Sequence, residues 1–473
     1  MNKLFKVSTI VALVFVISSL EAQIVSPVDF MRMNPYQMKT NPATDLPYSS
    51  VMSLLIGNVN LNVQNSTLRY DNLFEFDAQG LPISHAFHNL ANGKSKNFME
   101  VDADLELFTL YRRIGNGMLT FDWGVKVRTD LLFSNDLFKL LINGNSDFIG
   151  ENNPANVNVN LNLNAYREFA VGYQHNINEK LSIGGRAKLL FGIANISTKS
   201  ANAKLFSTDD SYDIRVEEDV NVLASLPRVI TFENGILDAN GGFRFGDLYS
   251  NIGFGADLAV EYRFDEHFGV MAAVNDLGLI HWKLNNMKLV DQIEGDSLFC
   301  DNGSFLFDGL DDEQLQLIVK DEYYRGRVWD TIRQYFPIEL QHTGDYSTKL
   351  NTNVLLRGYY DIDGMNRFIL QAQGVFNGSG FRPAMTLAYN GSFFKMLDVC
   401  ATYTIMPGSY DNIGLGIAGV FNMFHIYLTT NNLLGCFKPL QTSAINAQVG
   451  IVFNLRMPEK THLEKPTIPE YLE

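Results

Sequence analysis

The chain has 473 residues, 46% of them hydrophobic, 12% aromatic and 19% charged, with 37 Gly, 14 Pro and only 3 Cys. It is too apolar for a disordered chain and too poor in cysteine for a disulfide-stapled domain. Lys and Arg number 37 against 52 Asp and Glu, a net charge of −15, so no nucleic-acid partner is expected.

At the amino terminus, Lys3 and Lys6 precede an apolar run from Val7 to Leu20, which is followed by Glu21-Ala22-Gln23. This is the order of a secretory signal, so residues 1–22 are read as a signal peptide cleaved after Ala22. The run is shorter than the ~20 residues a membrane-spanning helix needs, and no stretch of ~18 apolar residues follows it. An exported chain of this kind is either a soluble β-protein or a closed transmembrane β-barrel, because only helices and closed barrels satisfy their backbone in hydrocarbon.

Beyond the signal the dominant period is two. Residues 157–164 read Val-Asn-Val-Asn-Leu-Asn-Leu-Asn, which only a strand turns into two chemically distinct faces. Leu119, Phe121, Trp123, Val125 and Val127 alternate with Thr120, Asp122, Gly124, Lys126 and Arg128. Ile252, Phe254, Ala256, Leu258 and Val260 alternate with Gly253, Gly255, Asp257, Ala259 and Glu261. Ile445, Ala447, Val449, Ile451 and Phe453 do the same with Asn446, Gln448, Gly450, Val452 and Asn454. The runs are longer than the usual globular strand of about 5–6 residues and match the ~9–11 of a tilted membrane strand. Tyr166, Tyr173, Tyr262, Phe264, Tyr359, Tyr360 and Tyr403 sit near run ends, where aromatic belts belong.

The predicted strands are 50–63, 101–112, 118–128, 156–174, 181–199, 251–264, 267–275, 350–360, 367–376, 382–390, 397–405, 412–420, 424–431 and 444–455, fourteen in all. The even-numbered connections are short: 113–117, 175–180, 265–266, 361–366, 391–396 and 421–423. All the long ones, 64–100, 129–155, 200–250 and 276–349, are odd, and the last has room for a further hairpin. Short turns on one side and long loops on the other are the mark of an antiparallel transmembrane barrel; a soluble sandwich has no reason to sort loops by parity. The fold class is therefore all-β, a barrel of about fourteen strands over residues 50–456. Helices are expected in two loops: Leu137, Leu140 and Leu141 follow Asn135-Asp136, and Leu315, Ile318, Val319, Tyr323 and Val328 follow Asp311-Asp312-Glu313.

Alternation places Asp122, Lys126, Arg128, Glu168, Arg186, Lys188, Asp257, Glu261, Arg263 and Arg357 on the inward face. Mixed signs on neighbouring strands point to a lumenal ion-pair lattice rather than a filter, which needs one sign to dominate a constriction. Other chemistry is weak. Cys300, Cys400 and Cys436 are far apart and odd in number, and His85 and His88 lack a third ligand nearby. The acidic stretch around Asp301, Asp308 and Asp311 departs from calcium-loop spacing. His425 is the one strand-centred His, and no serine is paired with it by sequence. No metal, cofactor or enzymatic activity is expected.

Residues 34–43 read Asn-Pro-Tyr-Gln-Met-Lys-Thr-Asn-Pro-Ala, and Asn41-Pro42-Ala43 in this position resembles the NPA motif in the amino-terminal plug of FadL-type hydrophobic-compound transporters. Tyr173-Gln174-His175 through Ile183-Gly184-Gly185-Arg186, Val260-Glu261-Tyr262-Arg263-Phe264 and Val274-Asn275-Asp276-Leu277-Gly278 also resemble hairpins of PorV-like barrels and of an uncharacterised Bacteroidota outer-membrane family. The resemblance implies a Gram-negative outer-membrane barrel, its outside in lipid, with residues 23–49 as plug and passive transport of a hydrophobic small-molecule ligand. The alternative it implies is a structural or secretion-accessory barrel. Its protein partners would bind the outer loops or the charged periplasmic tail 457–473, which is otherwise an inert extension. The glycine-rich plug run common in FadL-type proteins is missing between Gln23 and Asn41.

Overall fold

Strands that bury polar groups on one face and present apolar groups on the other close into a cylinder when no edge can be left unpaired. The computed structural model describes residues 26–46, 52–66, 83–93, 96–150, 152–207, 214–228, 231–233, 236–238, 244–291, 298–300, 338–377, 380–394, 396–406, 409–421, 424–437 and 444–456, with scattered positions between 310 and 327. The expected signal peptide, the tail 457–473 and the two ends of the expected segment 23–49 lie outside the described residues.

Fourteen antiparallel strands form the ring: β1 (Met52–Asn65), β2 (Lys96–Ile114), β3 (Gly117–Ser134), β4 (Ala155–Asn176), β5 (Leu181–Ser207), β6 (Ile252–Arg263), β7 (Phe268–Trp282), β8 (Thr352–Asp361), β9 (Asn366–Asn377), β10 (Gly380–Phe393), β11 (Leu397–Met406), β12 (Ser409–Val420), β13 (Phe424–Thr430) and β14 (Ala444–Arg456). Each pairs with the next, and β14 pairs back to β1 from Met52↔Arg456 to Gln64↔Ala444, which closes the barrel. The short turns gather at one end and the long loops at the other.

Two expected loops begin as strand. β5 runs on to Ser207 and β7 to Trp282, and both ends pair outside the ring. The far part of β5 pairs with an outer strand, Ile214–Ser225, which pairs with Asn286–Asp291 and that with Ile338–His342. Tyr346–Lys349 pairs with the end of β7. The stretch Lys199, Ser200, Asn202 and Lys204 is polar on both faces, so the period that marks a strand inside lipid fades where the strand leaves it. Of the loop helices, α1 (Ile83–Ala91) packs on α2 (Asn135–Asn143), with Phe87 and Phe138 edge to face at 5.4 Å. The described positions between 313 and 327 are helical except Asp321.

The outer face carries Phe254, Leu258, Val260, Leu356, Leu370, Leu387 and Leu428, all exposed, while Asp257, Glu261, Gln371, Thr386 and Gln448 are buried on the inner one. Aromatic pairs ring the short-turn end, among them Phe264–Phe268 at 5.2 Å and Phe421–Phe424 at 4.8 Å. Among the described residues no helix is long and apolar enough to cross a membrane; the strands supply the apolar exterior. If that band sits in hydrocarbon, Leu356→Arg, at a site 60% exposed, will cost about 2–4 kcal/mol. Urea titration of the vesicle-folded protein measures this, and a cost of about 0–1 kcal/mol would place the residue outside the hydrocarbon.

Candidate functional site

Residues 26–46 lie inside the ring. Two 3-10 turns, Pro27–Phe30 and Pro35–Lys39, each begin at a proline, whose fixed φ suits the first position of a turn. The Asn34 side-chain oxygen accepts from the Tyr36 amide at 3.0 Å and caps the second turn. The segment's Val28, Phe30, Met31, Tyr36, Met38 and Leu46 are buried against Leu55, Tyr111, Met118, Ile369, Tyr427 and Val452 of the wall. Near the short-turn end the inward face is therefore apolar, and this patch is the core of the molecule.

Polar contacts tie the same segment to strands all round the ring. Ser26 and Thr429 share a hydroxyl hydrogen bond of 2.9 Å, and the Arg32 amide donates to Asn390 at 3.0 Å. Asn275 donates to the Thr40 carbonyl at 2.8 Å and Ser182 to the Ala43 carbonyl at 2.9 Å. Asp45 accepts from Arg113 at 3.0 Å and from Asn176 at 2.9 Å. Asn41, Pro42 and Ala43 all meet the wall or brace one another. Asn41 Nδ2 donates to Glu261 at 2.8 Å while its Oδ1 accepts from the Ala43 amide at 3.1 Å. Pro42 lies directly on Gly184, where an added Cβ would collide with the Pro42 carbonyl oxygen.

The inward charges form layers. At mid-height Arg186 bonds Asp122 at 2.7 Å and Asp257 at 2.9 Å, Lys188 bonds Asp257 at 2.7 Å and Asp276 at 2.5 Å, and Lys126 bonds Glu168 at 3.0 Å. Six of the ten expected lumenal residues thus share one cluster. A bulge in β7 supplies Asp276: the register shifts between Val274 and Leu277 and Asp276 has φ +56°, so Asn275 and Asp276 both face inward. Lys39 of the inner segment completes the cluster, with its ammonium 2.7 Å from Asp122 and 3.0 Å from Glu106. Of the other four, Arg128 joins Asp104 at 2.6 Å nearer the long-loop end. Glu261 accepts from Tyr359 at 2.8 Å, with Arg263 3.6 Å away. Arg357 stands apart: it donates to the Asp29 carbonyl at 3.2 Å and to Gln371 at 2.8 Å, 4.8 Å from the Phe30 ring centre.

Toward the long loops a second set of charges bridges the lumen. Arg382 of β10 bonds Glu100 of β2 at 2.8 Å and Asp130 of β3 at 2.9 Å, and Asn377 of β9 donates to Asp130 at 3.1 Å. β10 is seven places round the ring from β3, on the opposite wall. Strands about 4.8 Å apart and tilted about 40° would close fourteen-fold into a round cylinder roughly 28 Å across. An arginine and a carboxylate cannot span that distance, so the ring is flattened into a neck here. Between neck and inner segment is a cavity of about 120 Å³, lined by Lys39, Glu106, Lys126, Arg128, Asn353 and Gln448 among others; Leu355 is its one aliphatic residue.

Sequence reading did not single out Lys39, Glu106, Asp276 or the neck residues. The run Glu100-Val-Asp102-Ala-Asp104-Leu-Glu106, with every second residue acidic, was the available signal for Glu100 and Glu106. His425 is buried on β13, Cys400 and Cys436 are free thiols, and among the described residues no group of three His, Cys, Asp or Glu has metal-binding geometry. The side chains of His85 and Cys300 lie outside the described residues.

Because Lys39, Asp122 and Glu106 are nearly dry, Lys39→Met strands two carboxylates and will destabilise the protein by about 3–5 kcal/mol in a urea titration. Adding Glu106→Gln will restore part of the loss, since Asp122 keeps Arg186. No loss in the single variant would mean that the ammonium is not seated there.

No curated protein matches the chain in sequence. Among solved structures, the Pseudomonas putida toluene transporter TodX is 8% identical over 92% of this chain and 98% of its own, with a TM-score of 0.41. The Ralstonia pickettii toluene transporter TbuX is 8% identical over 89% and 92%, at 0.38. A Pseudomonas aeruginosa FadL homologue is 10% identical over 89% and 93%, at 0.34. Identity this low aligns no residue of the lumen. The model of the family of unknown function DUF5723 matches residues 42–431, most of the chain, and the protein belongs to that family.

Proposed function

We propose that the protein is an outer-membrane barrel that passes small molecules and is held closed by residues 26–46 as a plug, its short turns facing the periplasm and its long loops facing outward. One observation carries the reading. The lumen is filled by a folded peptide held through separate hydrogen bonds and one buried ammonium, Lys39, whereas a lumen that only had to be filled would use wall side chains.

The path is hydrophilic. A hydrophobic solute, which the resemblance of Asn41-Pro42-Ala43 implies, would enter a chamber lined by Lys126, Arg128, Glu106, Asn353 and Gln448, where alkyl surface gains nothing and polar groups lose water. Small hydrophilic molecules fit that lining better.

Gly184 gives a neutral way to unseat the plug. Gly184→Val drives a side chain into the Pro42 carbonyl, an overpacking worth about 1–3 kcal/mol, or roughly 5- to 150-fold in the docked population. Planar-bilayer recordings will show the variant conducting more often than the parent, with folding checked by heat-modifiable gel migration. Equal conductance of the two folded proteins overturns the plug reading.

A further inference from the structure

Among the described side chains the neck is more unevenly charged than the mid-height lattice, where Glu106, Asp122, Glu168, Asp257 and Asp276 face Lys39, Lys126, Arg186 and Lys188. Glu100, Asp102, Asp104 and Asp130 are buried in the neck, and among the described residues the facing bases are Arg128 and Arg382, so four carboxylates meet two guanidiniums. Two buried amides of β1 stand in the same layers, Asn62 across from Asp102 and Gln64 across from Glu100. Among the described residues neither the Asn62 carbonyl oxygen nor that of Gln64 has a partner. Carboxylates and free carbonyl oxygens at a constriction are the groups that replace the hydration shell of a cation.

The plug adds an independent sign. When it leaves it takes Lys39 along, and the mid-height wall then holds Glu106, Asp122, Glu168, Asp257 and Asp276 against Lys126, Arg186 and Lys188. The opened path is therefore acidic at both levels.

We infer that the neck is a cation-selective filter, so that the solutes of the open barrel are small cations, metal ions or ammonium-bearing molecules. The inference rests on the plugged-pore reading and names its substrate class. Arg382 acts as the resident cation: it crosses the neck from β10 to the neighbouring Glu100 and Asp130 on the facing wall, and a passing cation takes its place on the same carboxylates. An anion has no such exchange to make, because to reach Arg128 or Arg382 it must displace the acids they hold.

The test is the reversal potential of full-length Gly184→Val in a planar bilayer across a steep KCl gradient. The expected potassium-to-chloride permeability ratio is several-fold above one. It will fall toward one when Asp102→Asn and Asp104→Asn are added, and rise when Arg382→Gln is added instead, which keeps the measurement decisive if either set fails to fold. Conductance with a ratio at or below one overturns the filter and leaves the pore standing. Silence of folded Gly184→Val overturns the pore and the filter with it.

Discussion

Every main-chain N–H and C=O that enters hydrocarbon has to find its partner within the protein, and here the pairing of β14 with β1 is what meets that demand. Closure forces all polar side chains to one side, since the outside is given over to Leu, Phe and Val. Charges such as Asp257 and Lys188 then sit where water is scarce, and each is placed beside an opposite charge that offsets the cost of burial. The ion-pair layers follow from the closed ring, and the ring does not depend on them.

A buried ion pair seldom adds net stability, because desolvation offsets most of the Coulomb gain. Breaking one is costly all the same, and that asymmetry explains how a short peptide is held so definitely. The inner segment buries Phe30, Met31 and Met38 on an apolar floor, which is adhesion without direction. Lys39, Asn41 and Pro42 supply the direction: one ammonium between two carboxylates, one amide on Glu261, and one carbonyl that fits only over a glycine.

How much of this could be read from residues alone differs between wall and interior. Alternation such as Phe254, Leu258 and Val260 against Asp257 and Glu261 exposes the membrane strands plainly, because lipid and lumen impose opposite chemistries on neighbouring residues. Outside lipid both faces are wet, and so the ends of β5 and β7 and the outer strand at Ile214–Ser225 were hidden. Inward direction was equally legible, whereas partners were not. Asp122 reaching Arg186 over an intervening strand, and Arg382 reaching Glu100 and Asp130 across the ring, depend on barrel shape, which no local period encodes. Mixed signs along the alternation average over the whole lumen and conceal a neck where, among the described residues, acids lead.

Charge and shape meet at the inner segment. The wall of β2 to β7 is short of positive charge by itself, and a piece of the same chain lying inside the ring makes up part of the shortfall with Lys39. The segment that fills the lumen is thus also a counterion to its wall. A segment built only of apolar groups would leave the wall carboxylates Glu106 and Asp122 without this partner; this one carries Arg32 and Lys39 against Asp29 and Asp45, so its charges act locally, pair by pair, and not through a net sign. The neck repeats the arrangement with Arg382, a cation fixed to the wall, so at two levels of the lumen a positive group is seated on carboxylates.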